Sequence, residues 1–211
     1  ERDKQGGLWR ETAKPVSLVE GMNERDLAAF AGTHHRTGKM TLVMVNTVKR
    51  AVAVYEALTK NKAVSAELRL AHSRFRPYER QRWRDEFLTR NAGSGSDRII
   101  VATQVLEAGV DISADCLITD LAPWPSLVQR FGRVARYGGN GSVFVVDVDG
   151  EKNASPYRIE ELKAARCAVM GLKDVANRPL EEFHAGLTPD RTRELYPYEP
   201  DFLLLRKELD E

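Results

Sequence analysis

Residues 98–136 read RIIVATQVLEAGVDISADCLITDLAPWPSLVQRFGRVAR, and the order of parts within them decides the fold. One apolar run ends at Thr103, a Gly-Val-Asp follows at 109–111, a second apolar run ends at Asp120, and the segment closes on Gln129, Arg130, Gly132, Arg133 and Arg136. Both runs are continuous rather than alternating, the pattern of strands buried on both faces of a sheet. The closing spacing predicts a helix over 126–136 with Arg133 and Arg136 within one turn on the same face, where two guanidinium groups can address one phosphate. Arginines three apart also occur on ordinary solvated helix faces. Gly132 argues against that meaning, because a glycine inside a helix costs about 1 kcal/mol relative to alanine and implies a need for close backbone approach.

Outward from this stretch, apolar runs of strand length recur at 16–20, 41–46, 67–71 and 142–148, with helical segments at 23–36, 48–61 and 77–90 between them. Asn23 with Asp26, and Asn46 with Thr47, supply residues that cap helix starts. The alternation predicts an α/β fold, a parallel sheet with helices on both faces. Ligands of such sheets meet the carboxyl ends of the strands. Asn46, Thr47, His72, Ser73, Thr103, Gln104 and Asp120 are placed there by the reading. The Ala-Gly-Ser-Gly-Ser loop at 92–96 carries no chemistry, and the glycines at 138, 139 and 141 read as a tight turn before the last strand.

Charge and composition exclude several classes. The chain's 32 Lys and Arg against 31 Asp and Glu give a net charge of +1, too little for a protein that coats nucleic acid by bulk electrostatics. Arginines do concentrate at 69–90, a stretch that reads first as a solvated helix face and second as a phosphate contact. No apolar run approaches the roughly 20 residues of a membrane span, and no apolar signal core stands near the amino end, so a cytoplasmic setting is expected. Two cysteines make neither a disulfide framework nor a metal site; Cys116 and Cys167 are both expected as reduced core residues.

Beyond residue 148 the pattern changes to a polar break, an amphipathic helix over 156–172, and a tail in which Pro179, Pro189, Pro197 and Pro200 forbid long helices. A short Leu-rich helical signal closes it at 202–211. The expected organisation is an incoming linker over 1–15, the sheet domain over 16–150 and an extension, the start of an accessory region, over 151–211. The abrupt start and end read as a piece cut from a longer chain.

The order Thr103, Gly109-Val-Asp111 and Gln129-Arg-x-Gly-Arg-x-x-Arg136 resembles motifs V and VI of superfamily 2 helicases, in their second RecA-like domain. TLVMVNTVKRAVAVYEALTK at 41–60 is similar to motif IV, and LAHSRFRPYER at 70–80 to the strand and turn after it. Gln129 in place of a histidine, Ala135 in place of a second glycine, Thr-Gln-Val with Glu107, and Asp-Leu-Ala-Pro at 120–123 depart from DEAD-box RNA helicases. Those departures look like the CRISPR-associated helicase-nuclease of type I systems, over about residues 38–150.

That resemblance implies an ATP-dependent helicase acting on single-stranded DNA, recruited to a Cascade-type complex. It implies ATP with Mg2+ held mainly by a first RecA-like domain, whose Gly-x-x-x-x-Gly-Lys-Ser/Thr loop and Asp-Glu-x-His or Asp-Glu-x-Asp motif do not occur in this sequence. This stretch alone is therefore expected not to hydrolyse ATP. Arg133 and Arg136 would be the arginine fingers; Gly109 and Asp111 would approach the ribose, with Gln129 and Arg130 linking the two motifs at the nucleotide. Thr47, Ser73, Arg74, Thr103 and Gln104 would touch nucleic-acid backbone. An RNA or repair helicase of the same superfamily, and a RecA-like binding module that has lost its motor, are the competing readings. Trp124 and Phe131 are expected to pack rather than bind.

Overall fold

A computed structural model describes residues 12–88, 97–148 and 155–197. Six strands, β1 (Val16–Val19), β2 (Met40–Met44), β3 (Glu67–Ala71), β4 (Arg98–Ala102), β5 (Cys116–Asp120) and β6 (Ser142–Val146), form one sheet in the order β1-β6-β5-β2-β4-β3. Every pairing is parallel. β2, β4 and β5 are buried along their whole length, and their side chains alternate between two apolar layers. Met40, Leu42, Ile100, Leu117 and Val143 face one layer, and Val43, Ile99, Val101 and Ile118 the other. That two-sided burial is why the central runs read as unbroken apolar stretches.

The second layer is closed by α1 (Glu24–His34) and α2 (Val48–Lys60). Asn23 caps α1 by accepting from the backbone N–H groups of Arg25 and Asp26, and Thr47 caps α2 by accepting from that of Arg50. The first layer takes α4 (Trp124–Phe131) and α5 (Ile159–Met170), and α3 (Pro77–Phe87) lies between β3 and β4 in sequence. Two short helices, α6 (Asn177–Ala185) and α7 (Pro189–Leu195), end the described chain, in keeping with a proline-punctuated tail. The 202–211 signal and the 92–96 loop lie outside the described residues.

The extension is built into the domain. Leu162, Ala165, Ala168 and Val169 of α5 join the same apolar cluster as β2 and β5. Residues 12–15, expected as linker, are tied to the rim of the sheet: Ala13 bridges Asn140 and Pro15 bridges Asp174. Trp124 is 1% exposed and packs on Phe131 and Phe183, with its indole N–H donating to His184 Nε2 at 3.0 Å. Phe131 is fully buried, as expected. Cys116 is buried, but Cys167 is exposed on α5, because its helical position turns to the side opposite Leu162 and Val169.

Gly141 is required by contact. A Cβ there would stand 2.2 Å from Val134 Cγ1 and 3.2 Å from the Asp115 carbonyl oxygen. Gly141→Ala is expected to cost about 1–3 kcal/mol by overpacking, read as a lower thermal midpoint. An unchanged midpoint would show that Val134 gives way freely.

Candidate functional site

The arginine segment departs from the helix expected of it. α4 spans Trp124–Phe131, and Gly132 is its C-cap, with φ −64° and ψ −9°. Immediately afterwards the chain is captured by the strand ahead of β5: Ala114 N–H donates to Arg133 O at 2.8 Å and Ala135 N–H to Ala114 O at 3.0 Å. Competition from that backbone pairing ends the helix, and Ala135 takes a positive φ of 43° as the chain turns. Arg133 and Arg136 therefore do not share a helix face.

Their surroundings differ accordingly. Arg133 is 6% exposed, and its two terminal nitrogens donate to Glu107 O and Val110 O, each at 2.5 Å. Its Nε is buried with no acceptor among the described residues. Burial, and then the neighbouring Arg136, lower its pKa from the ordinary value. Arg133 thus braces the Gly-Val-Asp turn, where Gly109 holds a positive φ of 72°. Arg136 is exposed, with Nε donating to Asp111 Oδ1 at 3.1 Å. Both side chains of that pair are well solvated, 43% and 57% exposed, so the contact is worth about 0–1 kcal/mol and yields readily to a stronger anion.

Beside Arg136 opens a pocket of 450 Å³ lined by Thr12, Lys14, Asp111, Gly132, Ala135, Arg136, Tyr137 and Asn177. Gly132 forms part of its wall; a Cβ there would meet only the Gln129 and Val128 carbonyls of its own helix, at 3.3 and 3.6 Å, so no close approach of another segment requires the glycine. Gln129, in the last turn of α4, is exposed.

Arg130 stands apart from the expectation that it meets nucleotide. It has no exposed surface. Nε donates to Glu107 Oε1 at 2.8 Å, and Nη1 donates to Thr119 Oγ1 at 2.8 Å and to Asp120 O at 3.2 Å. Asn46 Oδ1 accepts from both terminal nitrogens at 3.3 Å, and the Tyr157 hydroxyl accepts from Nη2 at 3.4 Å. Ser126 Oγ donates to the other oxygen of Glu107, and Gln104 Nε2 to Asn46 O and Tyr157 OH. One guanidinium thereby joins the segments that follow β2 and β4, the end of β5, α4 and the residues before α5. The forked geometry of arginine suits this work and lysine's does not.

The carboxyl edge of the sheet forms a second, separate group. Ser73 and Arg74 are exposed in the turn after β3. His72 is 8% exposed, stacked on Phe75, with its pKa lowered by burial. Thr47 lines a 480 Å³ cleft with Asn46, Lys49, Arg50 and Asp120. Asp120 is 3% exposed and accepts from Arg50 Nε at 3.0 and 3.2 Å and from Asn46 N–H; burial pushes its carboxyl pKa up and Arg50 pulls against it. Thr103 is 2% exposed, and Gln104 is turned inward. Of the five residues expected at nucleic acid, Ser73, Arg74 and Thr47 face the edge, whereas Thr103 and Gln104 are held within it. Asp120 and Asn46 bind the edge together rather than present themselves.

Sequence reading missed Lys14, taken for linker, and Tyr157, taken for helix. Neither carries a local pattern; both are placed by contacts more than a hundred residues away in Lys14's case and tens away in that of Tyr157.

Comparison with known proteins bears on what such an arrangement belongs to. The family described as CRISPR-associated nuclease/helicase Cas3, C-terminal, matches residues 37–139. The chain is 32% identical over 147 residues to the CRISPR-associated helicase Cas3 of Thermoproteus tenax, 69% of this chain and 24% of that relative. Among solved structures, T. fusca Cas3-ADP superposes with a TM-score of 0.71 at 20% identity, over 95% of this chain and 26% of that one. A CRISPR RNA-guided surveillance complex in a pre-nicking state contains a chain that superposes with a TM-score of 0.63 at 21% identity, over 94% of this chain and 27% of that one. These last two likenesses carry the fold alone. The chain spans about a quarter of the length of each of these three relatives.

Proposed function

Since the chain belongs to the Cas3 family, as the C-terminal RecA-like helicase domain, we propose that it is one half of an ATP-driven motor on single-stranded DNA. The observation that carries this reading is the exposed Arg136, loosely paired with Asp111 beside a pocket whose other ionisable side chain of charge is Lys14. A nucleotide's phosphates fit that setting, because two cations, Arg136 and Lys14, line the pocket.

Bound ATP with Mg2+, held mainly by a first RecA-like domain, supplies the phosphoryl group. Arg136 leaves Asp111 and neutralises charge at the terminal phosphate. Asp111, once released, accepts from ribose hydroxyls, and Gln129, exposed in the last turn of α4, is the further residue proposed to meet the nucleotide. Arg133 keeps the Gly109 turn in place so that Asp111 and Arg136 present together. Arg130 acts as a positioning residue, transmitting the state of the carboxyl edge to α4. At that edge Thr47, Ser73 and Arg74 meet backbone phosphates, with Thr103 and Gln104 supporting them; such contacts are indifferent to sequence, as a motor needs. Hydrolysis then depends on closure of two domains, which couples chemistry to movement.

The name of the Cas3 relative, and the surveillance complex holding a domain of this fold, favour a CRISPR effector of the Cascade type as partner and a cytoplasmic setting. Among the described residues no helix is long and apolar enough to cross a membrane. ATP turnover by the full-length protein, with single-stranded DNA, single-stranded RNA or neither, tests the reading beside the isolated domain. Stimulation by DNA with a silent isolated domain is the expected result. Stimulation by RNA would move the assignment to an RNA helicase, and no turnover in any mixture would leave a binding module.

A further inference from the structure

Lys14 is the one cation of the arginine pocket that the motor reading leaves without a role. Its backbone is fixed on both sides: the N–H donates to Asp174 Oδ2 at 2.9 Å, and the carbonyl accepts from Val175 N–H at 2.9 Å. Its side chain is buried, 4% exposed, with Nζ donating to the carbonyl of Phe131 at 3.2 Å. Phe131 is the last residue of α4, whose carbonyl end favours a cation. An ammonium has three donors, and the Phe131 bond uses one. The same side chain lines the 450 Å³ pocket shared with Arg136.

Every charged group near it bears on its titration. Desolvation lowers the Lys14 pKa to about 8, Asp174 in the turn after α5 opposes that, and Arg136 in the turn after α4 adds to it. Asp111 and Tyr137 border the pocket from the far side. A buried ammonium that is repelled by a neighbouring arginine is stabilised by an incoming anion.

We propose that Lys14 and Arg136 together form an anion site that receives the terminal phosphate of the bound nucleotide, Lys14 contributing positive charge from the segment just ahead of β1. The inference rests on the reading of this pocket as the nucleotide side of the domain. It also gives a reason for the burial of a lysine at this point: a residue of the segment ahead of β1 touches the end of α4, so phosphate engagement is felt by both.

The sign of the pH dependence follows from the protonated form being the binding one. Affinity is full below about 8 and falls as pH rises through that value. Stability runs the other way, since the folded value lies below the unfolded 10.5 and the unfolded chain holds more protons between the two. Removing the charge should therefore weaken anion binding while leaving the fold as stable or more so.

Binding of inorganic tripolyphosphate to the full-length protein, measured by calorimetry at pH 7 and pH 9, tests this for the wild type, Lys14→Met, Lys14→Arg and Arg136→Ala, with thermal midpoints recorded for each. Between the two pH values the wild type should lose about tenfold more affinity than Lys14→Arg, the change expected when one proton is linked to binding over the unit above the titration point. Lys14→Met should bind more weakly at pH 7 with no fall in midpoint. Wild-type affinity and pH profile in both Lys14 variants, with Arg136→Ala weakened, would overturn the role of Lys14 and leave the motor reading standing. Unchanged binding in all three variants would overturn the pocket itself. A fall in midpoint matching the loss of binding in Lys14→Met, unrelieved in Lys14→Arg, would assign Lys14 to structure alone.

Discussion

On the proposed reading, Arg136→Ala is expected to lower DNA-stimulated ATP hydrolysis by the full-length protein by about a thousandfold or more, the scale on which arginine fingers act, and to change single-strand binding little. The separation follows from geometry. Arg136 stands at the turn after α4, beside the Asp111 pocket, whereas the residues proposed for DNA contact are Ser73, Arg74 and Thr47 at the carboxyl edge. Its carboxylate partner, Asp111, is well solvated, so alanine removes little stability. Arg133→Ala would also impair turnover, but with a loss of stability that Arg136→Ala does not show, because Glu107 O and Val110 O lose their donors. Parallel ATPase and denaturation curves for the two variants separate these routes. Equal stability loss in both would contradict the division of labour between them.

Arg130→Met is the largest expected loss of stability, about 3–5 kcal/mol, the cost of breaking one half of a buried ion pair. The Glu107 side chain, only 16% exposed, would keep its Ser126 bond but lose its cation, and Thr119 and Asn46 would each lose a donor. Arg130→Lys should recover only part of this, since an ammonium cannot reach Glu107, Thr119 and Asn46 together. Arg130→Met combined with Glu107→Leu should recover more, because it removes both charges rather than stranding one. Chemical denaturation of the domain reads all three. A midpoint for Arg130→Met within experimental reach of wild type would show that the network is dispensable.

These two arginines also mark where sequence stops being sufficient. The sheet was legible because burial on both faces leaves unbroken apolar runs at β2, β4 and β5, and the helix starts were legible because Asn23 and Thr47 are local caps. The arginine spacing suggests phosphate contact, and its geometry was not legible. Helical periodicity predicts one face for Arg133 and Arg136, and a nonlocal backbone pairing with Ala114 breaks the helix at Gly132 before either is reached. Arg130 illustrates the same limit in reverse: the family resemblance implies that it meets the nucleotide, and only the convergence of Glu107, Thr119 and Asn46 shows that it is interior. Lys14 lay in a stretch without periodicity, and its neighbour Phe131 is 117 positions away.

The packing of α5 onto the sheet was not legible for a related reason. A polar break after residue 148 looks like a boundary, but apolar positions of α5 complete the layer that β2, β5 and α4 leave open. Composition sees the break and cannot see the face waiting to be covered.

On the proposed reading, this domain lends Arg136 to the terminal phosphate of a nucleotide held by another domain. Affinity of the full-length protein for ADP with aluminium fluoride, compared with affinity for ADP alone, addresses it most directly, because the fluoride occupies the position of the transferred group. Arg136→Ala is predicted to lose at least about a hundredfold in affinity for the complex, within the range by which such analogues exceed ground-state ligands, and to bind ADP nearly as the wild type does. Equal loss for both ligands, or for neither, would contradict the account.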